Sequence, residues 1–172
     1  INRLSIGVQS FIDDELILLS RIHNAQTAKN ALINARQVGF NNINCDIIFS
    51  LPGQTITNIY KTLQILTDFY PEHISAYALT PEKGTPLQKK IYNNELHMPD
   101  EETQREQFQF VISFLQQKGY KHYEISNFSR DGYRCLHNLI YWNYKPYLGF
   151  GASAHSFFNN IRQANVKSIK KY

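Results

Sequence analysis

The sequence predicts an α/β fold: a run of parallel strands joined by helical crossovers, followed by a smaller α+β unit. Three observations carry this. Over the first 80 residues, short apolar segments of period two alternate with amphipathic helical segments. The punctuation then changes at Pro81, Gly84 and Pro86. Finally, 11 of the 23 aromatic residues fall between Tyr120 and Phe158. Strand–helix–strand repeats with helical crossovers require parallel strands and right-handed connections. Three such strands do not close a barrel, so they read either as the later strands of a larger one or as half of an open sheet. The expected division is 1–82 for the parallel part and 83–172 for the start of the second domain.

Leu4, Ile6 and Val8 face one way and Ser5, Gly7 and Gln9 the other, which reads as the first strand. Asp13 is expected to cap a short helix carrying Asp14 and Glu15 in its first turn. Asn24 is placed to cap a second helix, with Ala28, Ala31, Leu32 and Ala35 as its apolar stripe and Gly39 as its stop. Ile43 to Ile48 is the second strand, and Leu51-Pro52-Gly53-Gln54 is a turn. Thr55 opens a third helix whose expected buried face is Ile56, Ile59, Tyr60, Leu63 and Leu66. Pro71 ends it, and His73 to Leu79 is the third strand. Pro81 to Pro86 reads as a loop. Pro99-Asp100-Glu101 starts a helix with Phe108, Val111, Ile112 and Leu115 on one face and Gly119 at its end. His122 to Ile125 is expected as a further strand.

Composition bounds the function. The chain has 172 residues, 42% of them apolar and 19% charged, enough for a folded core. No apolar run is long enough to span a membrane. The sequence opens at Ile1 and enters a strand almost at once, so we expect the domain to begin upstream. Cys45 and Cys135 are 90 positions apart and form no metal-spacing motif; two thiols suit a reducing compartment, and a cytoplasmic location is expected. The net charge of +4 is uneven: residues 1–100 carry 8 basic and 9 acidic side chains, residues 101–172 carry 10 and 5. The basic end with Lys167, Lys170 and Lys171 is a solvated surface or a contact for acidic lipid or a propionate-bearing ligand. Nucleic-acid binding has only net charge in its favour and is not expected.

Parallel α/β sheets place ligands at the carboxyl ends of their strands. Gln9 ends the first strand, Asp46 lies within the second, and Thr80 follows the third. A carboxylate amid Cys45, Ile47, Ile48 and Phe49 needs a partner, which could be a ligand, Arg21 or a structural hydrogen bond. Glu124 is a strand-end acid or a partner of Arg130 or Arg134. Gly149-Phe150-Gly151-Ala152 reads more readily as a tight turn than as a phosphate loop. His137 and Asn138, next to Tyr141 and Trp142, suit either a structural role or a flat anionic ligand.

Several of these stretches resemble one family. Ser5 to Phe11, Asp46 to Gln54 and His73 to Tyr77 resemble the radical S-adenosylmethionine proteins related to oxygen-independent coproporphyrinogen III oxidase. Gly84-Thr85-Pro86-Leu87, Tyr123 to Phe128, His137 to Trp142 and Leu148 to Ser156 are more similar to its heme chaperone branch, HemW. The resemblance implies the later strands of a partial (β/α) barrel followed by the family's C-terminal domain. It implies S-adenosylmethionine and a [4Fe–4S] cluster as cofactors, with the cluster's CxxxCxxC ligands upstream of this sequence. Gln9, Arg21, Asp46 and Thr80 match positions that contact S-adenosylmethionine. His137, Asn138 and Tyr141 match the HNxxY motif linked to heme, with His137 the natural axial ligand. The implied function is binding heme and passing it to recipient proteins. The alternatives are oxidative decarboxylation of coproporphyrinogen III propionates in porphyrin biosynthesis, or a segment without activity of its own.

Overall fold

A computed structural model describes residues 1–172. Its first three strands are β1 (Leu4–Gln9), β2 (Ile43–Phe49) and β3 (His73–Ala78). They are parallel, with α1 (Asp13–Leu18) and α2 (Ala25–Gln37) between the first two and α3 (Ile56–Asp68) between the second and third. After β3 come α4 (Pro86–Tyr92) and α5 (Glu101–Gln117). Two short strands, β4 (Lys121–His122) and β5 (Asn127–Ser129), then add antiparallel to the sheet, giving the order β1-β2-β3-β5-β4. The fold class is thus the α/β one expected, with a mixed rather than purely parallel sheet. The chain forms two compact units, residues 1–133 and 134–172. The second contains α6 (Leu136–Trp142) and a hairpin of β6 (His155–Phe158) and β7 (Ile161–Ala164).

The sheet has two unlike faces, and strand alternation makes them so. Cys45 lies opposite Ile6 and Ile74, and Ile74 opposite Phe128, so one face is an apolar ladder running across four strands. Ala28, Leu32 and Ala35 of α2, Ile59, Leu63 and Leu66 of α3, and Val111 and Leu115 of α5 share a core with it. The other face carries Ser5, Asn44, Asp46, His73, Ser75, Asn127 and Ser129, joined by the same register. Helices therefore cover one side of the sheet, and polar groups occupy the other.

The helix caps follow the local chemistry. Asn24, Thr55, Thr85 and Asp100 each accept a hydrogen bond from the backbone N–H three residues on. Asp13 does not cap its own helix. It is the first residue of α1, and its carboxylate accepts from the Ala25 N–H at 2.7 Å, tying α1 to the start of α2. Pro86 lies inside a helix, at the first turn of α4, where its missing N–H costs nothing. On α3 the inward face is rotated from the expected one. Ile56 and Tyr60 are exposed, while Thr62 and Thr67 are buried, because Thr62 Oγ1 meets Ser10 Oγ and Phe11 N. The segment His122 to Ile125 is not one strand: His122 ends β4 and the chain turns before β5.

Leu63 is wholly buried where α3 meets the apolar sheet face. Leu63→Ala is expected to lower unfolding free energy by about 2–5 kcal/mol through lost transfer energy and the cavity left behind. Urea unfolding of both proteins measures it; a loss under about 1 kcal/mol would show that this contact is not part of the main core.

Candidate functional site

The C-terminal ends of the parallel strands form a rim. β1 reaches it through an irregularity: Gly7 pairs with Asp46, but Gln9 pairs with Ile47. Gln9 is buried and has φ +67, and its amide folds back over Gly7. A Cβ on residue 7 would stand 2.8 Å from Gln9 Nε2, so glycine lets that amide lie where it does and a larger residue would push the end of the Gln9 side chain aside. Gln9 thus lies over the residue directly paired with Asp46.

Asp46 is half-buried on the polar sheet face. Its Oδ1 accepts from Asn44 Nδ2 at 2.8 Å and its Oδ2 from Ser5 Oγ at 3.1 Å. Its partners are these two neutral groups, and it makes no ion pair with Arg21. A carboxylate has about four acceptor positions, so two remain for other donors. Arg21 and Thr80 come together elsewhere on the rim. They line one cavity of about 270 Å³ with Ile48, Leu79, Pro81 and Leu87. Ile48 is two residues beyond Asp46 and on the same face of β2. Thr80 lies two residues past the end of β3 and is exposed, as is Arg21. Whole-ligand pockets are roughly 300–1,000 Å³, so this cavity suits part of a nucleoside-sized ligand rather than all of it. The four expected positions therefore form two pairs: Gln9 with Asp46 along β1 and β2, and Arg21 with Thr80 in the cavity.

Sequence reasoning missed the polar residues behind Asp46. His73 is 1% exposed. Its Nδ1 lies 2.5 Å from Asn44 Oδ1 and its Nε2 2.7 Å from Tyr123 Oη. Ser75 Oγ also donates to Asn44 Oδ1, at 3.2 Å. Asn127, paired with Ser75, is buried with its Oδ1 unpartnered. The available signal was the recurrence at spacing two of Asn44 and Asp46, His73 and Ser75, and Asn127 and Ser129. Such a recurrence marks one polar face on each strand. Glu124 Oε1 accepts from the Ser126 N–H, and no ion pair joins it to Arg130.

The second unit holds the His137, Asn138 and Tyr141 positions on α6. Tyr141 Oη lies 2.9 Å from His137 Nε2, and the two rings meet edge-on one helical turn apart. Tyr141 also packs edge-on against Tyr147. Leu136, Trp142, Tyr144, Leu148 and Phe150 are exposed apolar groups of this unit. Residues 134–172 carry six basic side chains and no acidic one. Gly149 is a packing requirement: a Cβ there would meet the His155 carbonyl oxygen at 2.1 Å, and Asn165 Nδ2 donates to the carbonyls of Gly149 and Gly151. This Gly-rich stretch thus closes against the chain's own backbone.

No cluster of three or more metal-ligating side chains occurs. Burial pushes the Cys45 thiol far above its ordinary pKa, so it stays an un-ionised core group. No helix is long and apolar enough to cross a membrane.

Burial, and after it the charge of Arg3, pushes the His73 imidazole down from 6.5 to about 3. Folded His73 is neutral above that value, whereas in the unfolded chain it takes up a proton below 6.5. Its contribution to stability is complete above about pH 6.5 and is lost as pH falls toward 3. Between pH 7 and pH 4 the loss is expected to reach about 3 kcal/mol. His73→Gln should lack that part of the pH slope in urea unfolding; equal slopes for the two proteins would contradict it.

No family model matches the chain. The heme chaperone HemW of Bacillus subtilis is 38% identical over 172 residues, all of this chain and 45% of its own length. HemW of Lactococcus lactis is 30% identical over the same span. The mitochondrial radical S-adenosyl methionine domain-containing protein 1 of Bos taurus is 35% identical over 176 residues, 99% of this chain and 40% of its own. The chain thus spans under half the length of the curated relatives it matches. Coproporphyrinogen III oxidase (HemN) of Escherichia coli, a radical SAM enzyme, superposes with a TM-score of 0.80 at 27% identity, over 100% of this chain and 42% of its own. Elp3 of Methanocaldococcus infernus shares the fold over 65% of the chain, with a TM-score of 0.58 and 23% identity. The chain is therefore a homologue of the HemW heme chaperones and radical S-adenosylmethionine domain proteins, folded like the matching part of HemN.

Proposed function

We propose that this chain serves in a HemW-like radical S-adenosylmethionine protein that binds heme and passes it to recipient proteins in the cytoplasm. The observation that carries this is the end-to-end match to heme chaperones. The residues present suit both ligands. On the first unit, Asp46 keeps acceptor positions for ribose hydroxyls or an ammonium, Arg21 is an unpaired guanidinium for a carboxylate, and Gln9 offers a donor and an acceptor. Thr80 contributes through its backbone beside Arg21. With its cluster, S-adenosylmethionine supplies radical chemistry when bound; this chain's share is to bind and orient it, and the CxxxCxxC cluster ligands come from outside these residues. On the second unit, His137 is the imidazole for heme iron, and exposed aromatic rings with an excess of cations suit a flat ligand bearing propionates. Asn138 and Tyr141 complete the motif; Tyr141 Oη meets His137 Nε2 and holds the ring, which leaves Nδ1 as the nitrogen for iron.

A second reading is the oxidase activity named for HemN, favoured by the superposition on that enzyme across the whole chain. The protein would then position a coproporphyrinogen propionate for oxidative decarboxylation. Two measurements separate the readings. Heme titration should give a Soret change that His137→Ala weakens at least tenfold if the chaperone reading holds. Anaerobic turnover of coproporphyrinogen III with S-adenosylmethionine and a reductant, with no His137-dependent heme signal, would establish the oxidase instead. Asp46→Asn is expected to weaken S-adenosylmethionine binding roughly tenfold by calorimetry, the size of a hydrogen bond to a charged group. Unchanged affinity would remove Asp46 from the site.

A further inference from the structure

The hydrogen bonds behind Asp46 have only one consistent polarity. Asn44 Nδ2 faces Asp46 Oδ1 at 2.8 Å and Ser5 Oγ at 2.7 Å. An amide nitrogen has two hydrogens, and both are engaged here. Turning the amide over would set its carbonyl oxygen against the Asp46 carboxylate. Asn44 Oδ1 is therefore the acceptor for Ser75 Oγ at 3.2 Å and for His73 Nδ1 at 2.5 Å. His73 Nδ1 must then carry the imidazole proton. The neutral ring leaves Nε2 as an acceptor, and Tyr123 Oη donates to it at 2.7 Å. All four hydrogen-bonding positions of the Asn44 amide are taken by side chains. Asn44 and His73 are 3% and 1% exposed, so water is no substitute partner.

We propose that Asn44 and His73 are positioning residues for the ligand-facing carboxylate of Asp46, acting through the His73 Nδ1–H bond. This rests on the reading that Asp46 receives S-adenosylmethionine. The Nδ1–H bond holds the Asn44 amide at one rotation. That rotation aims one N–H at Asp46 Oδ1 and the other at Ser5 Oγ, which itself donates to Asp46 Oδ2. Both carboxylate oxygens are thus held from behind, and their remaining lone pairs have fixed directions. Tyr123, from the turn between β4 and β5, fixes the tautomer and so links the antiparallel edge of the sheet to the carboxylate on β2.

The two ring nitrogens of His73 have separate mimics. His73→Asn keeps a donor at the place of Nδ1; His73→Gln keeps a polar group only at the place of Nε2; His73→Leu keeps neither. S-adenosylmethionine titrated into the cluster-loaded holoprotein is expected to bind within about twofold of normal for His73→Asn. It should bind about five- to tenfold more weakly for His73→Gln and His73→Leu, the size of one neutral hydrogen bond. A merely structural His73 would give three variants of lowered melting temperature with equal affinities, and that result overturns the proposal. Asp46→Asn runs alongside. If it leaves affinity unchanged, the ligand is not at Asp46 and both readings fail; if it weakens binding while His73→Leu does not, only the positioning role fails. Nitrogen-15 imidazole shifts of the unmutated protein should show His73 protonated at Nδ1 and bare at Nε2. The opposite tautomer overturns the proposal even where a variant does not fold.

Discussion

The structure depends on one constraint: a buried amide, Asn44, must satisfy two donors and two acceptors on a sheet face that carries little apolar cover. A parallel sheet in a closed α/β fold is usually apolar on both faces. Here the helix-packed face obeys that rule through Val8, Cys45, Ile47, Ile74 and Phe128, all at most 2% exposed. The opposite face does not, and each buried polar group on it needs a partner or loses free energy of order 1–3 kcal/mol. Around Asn44 the register supplies those partners, whereas Asn127 Oδ1 on the same face has none. Ser5, Asn44 and His73 lie side by side on adjacent strands, and Asp46 and Ser75 are one step further along. A slip of one residue would send every member of this network to the other face. The network and the strand register are therefore mutually enforcing, and the position of Asp46 follows from both.

Much of this was legible in the sequence. The period-two pattern of Leu4 to Gly7, the caps at Asn24 and Thr55, and the stop at Gly39 all depend on local chemistry, and each lies where that chemistry puts it. Failures occurred where a tertiary partner overrode the local rule. Asp13 spends its carboxylate on the next helix. Thr62 turns inward because Ser10 and the Phe11 N–H await it, which rotates α3 and leaves Tyr60 half in solvent. The antiparallel pairing of β5 with β3 joins residues more than 50 positions apart, so no local window could contain it.

The candidate site was legible only in part, for a related reason. Gln9 and Thr80 could be placed at strand ends and Asp46 within the second strand, because parallel topology sends the carboxyl ends to one rim, whereas Arg21 was assigned only through the family resemblance. Their partners could not be placed. Asn44 and His73 are 29 positions apart, His73 and Tyr123 are 50, and neither spacing carries a motif. The His137–Tyr141 pair is the opposite case. It spans one helical turn, so sequence spacing alone sets the two rings on the same face of α6.

The rim itself is held under local strain, and that strain explains why a distant helix matters to it. Gln9 and Ser50, at the ends of β1 and β2, have φ +67 and +59, a region that costs a non-glycine residue about 1–2 kcal/mol. Such conformations persist only where the surroundings over-determine them. For Ser50 the bracing is visible. Its Oγ donates to Gln107 Oε1 at 2.8 Å, and Gln107 Nε2 donates to the Gln54 carbonyl at 2.9 Å. Gln107 is 1% exposed on α5 and so clamps both ends of the Leu51-Pro52-Gly53-Gln54 turn. A ligand held by Asp46 and the cavity beyond Ile48 needs β2 to leave the sheet at a fixed place. A buried glutamine on a later helix, outside the cavity, secures that exit.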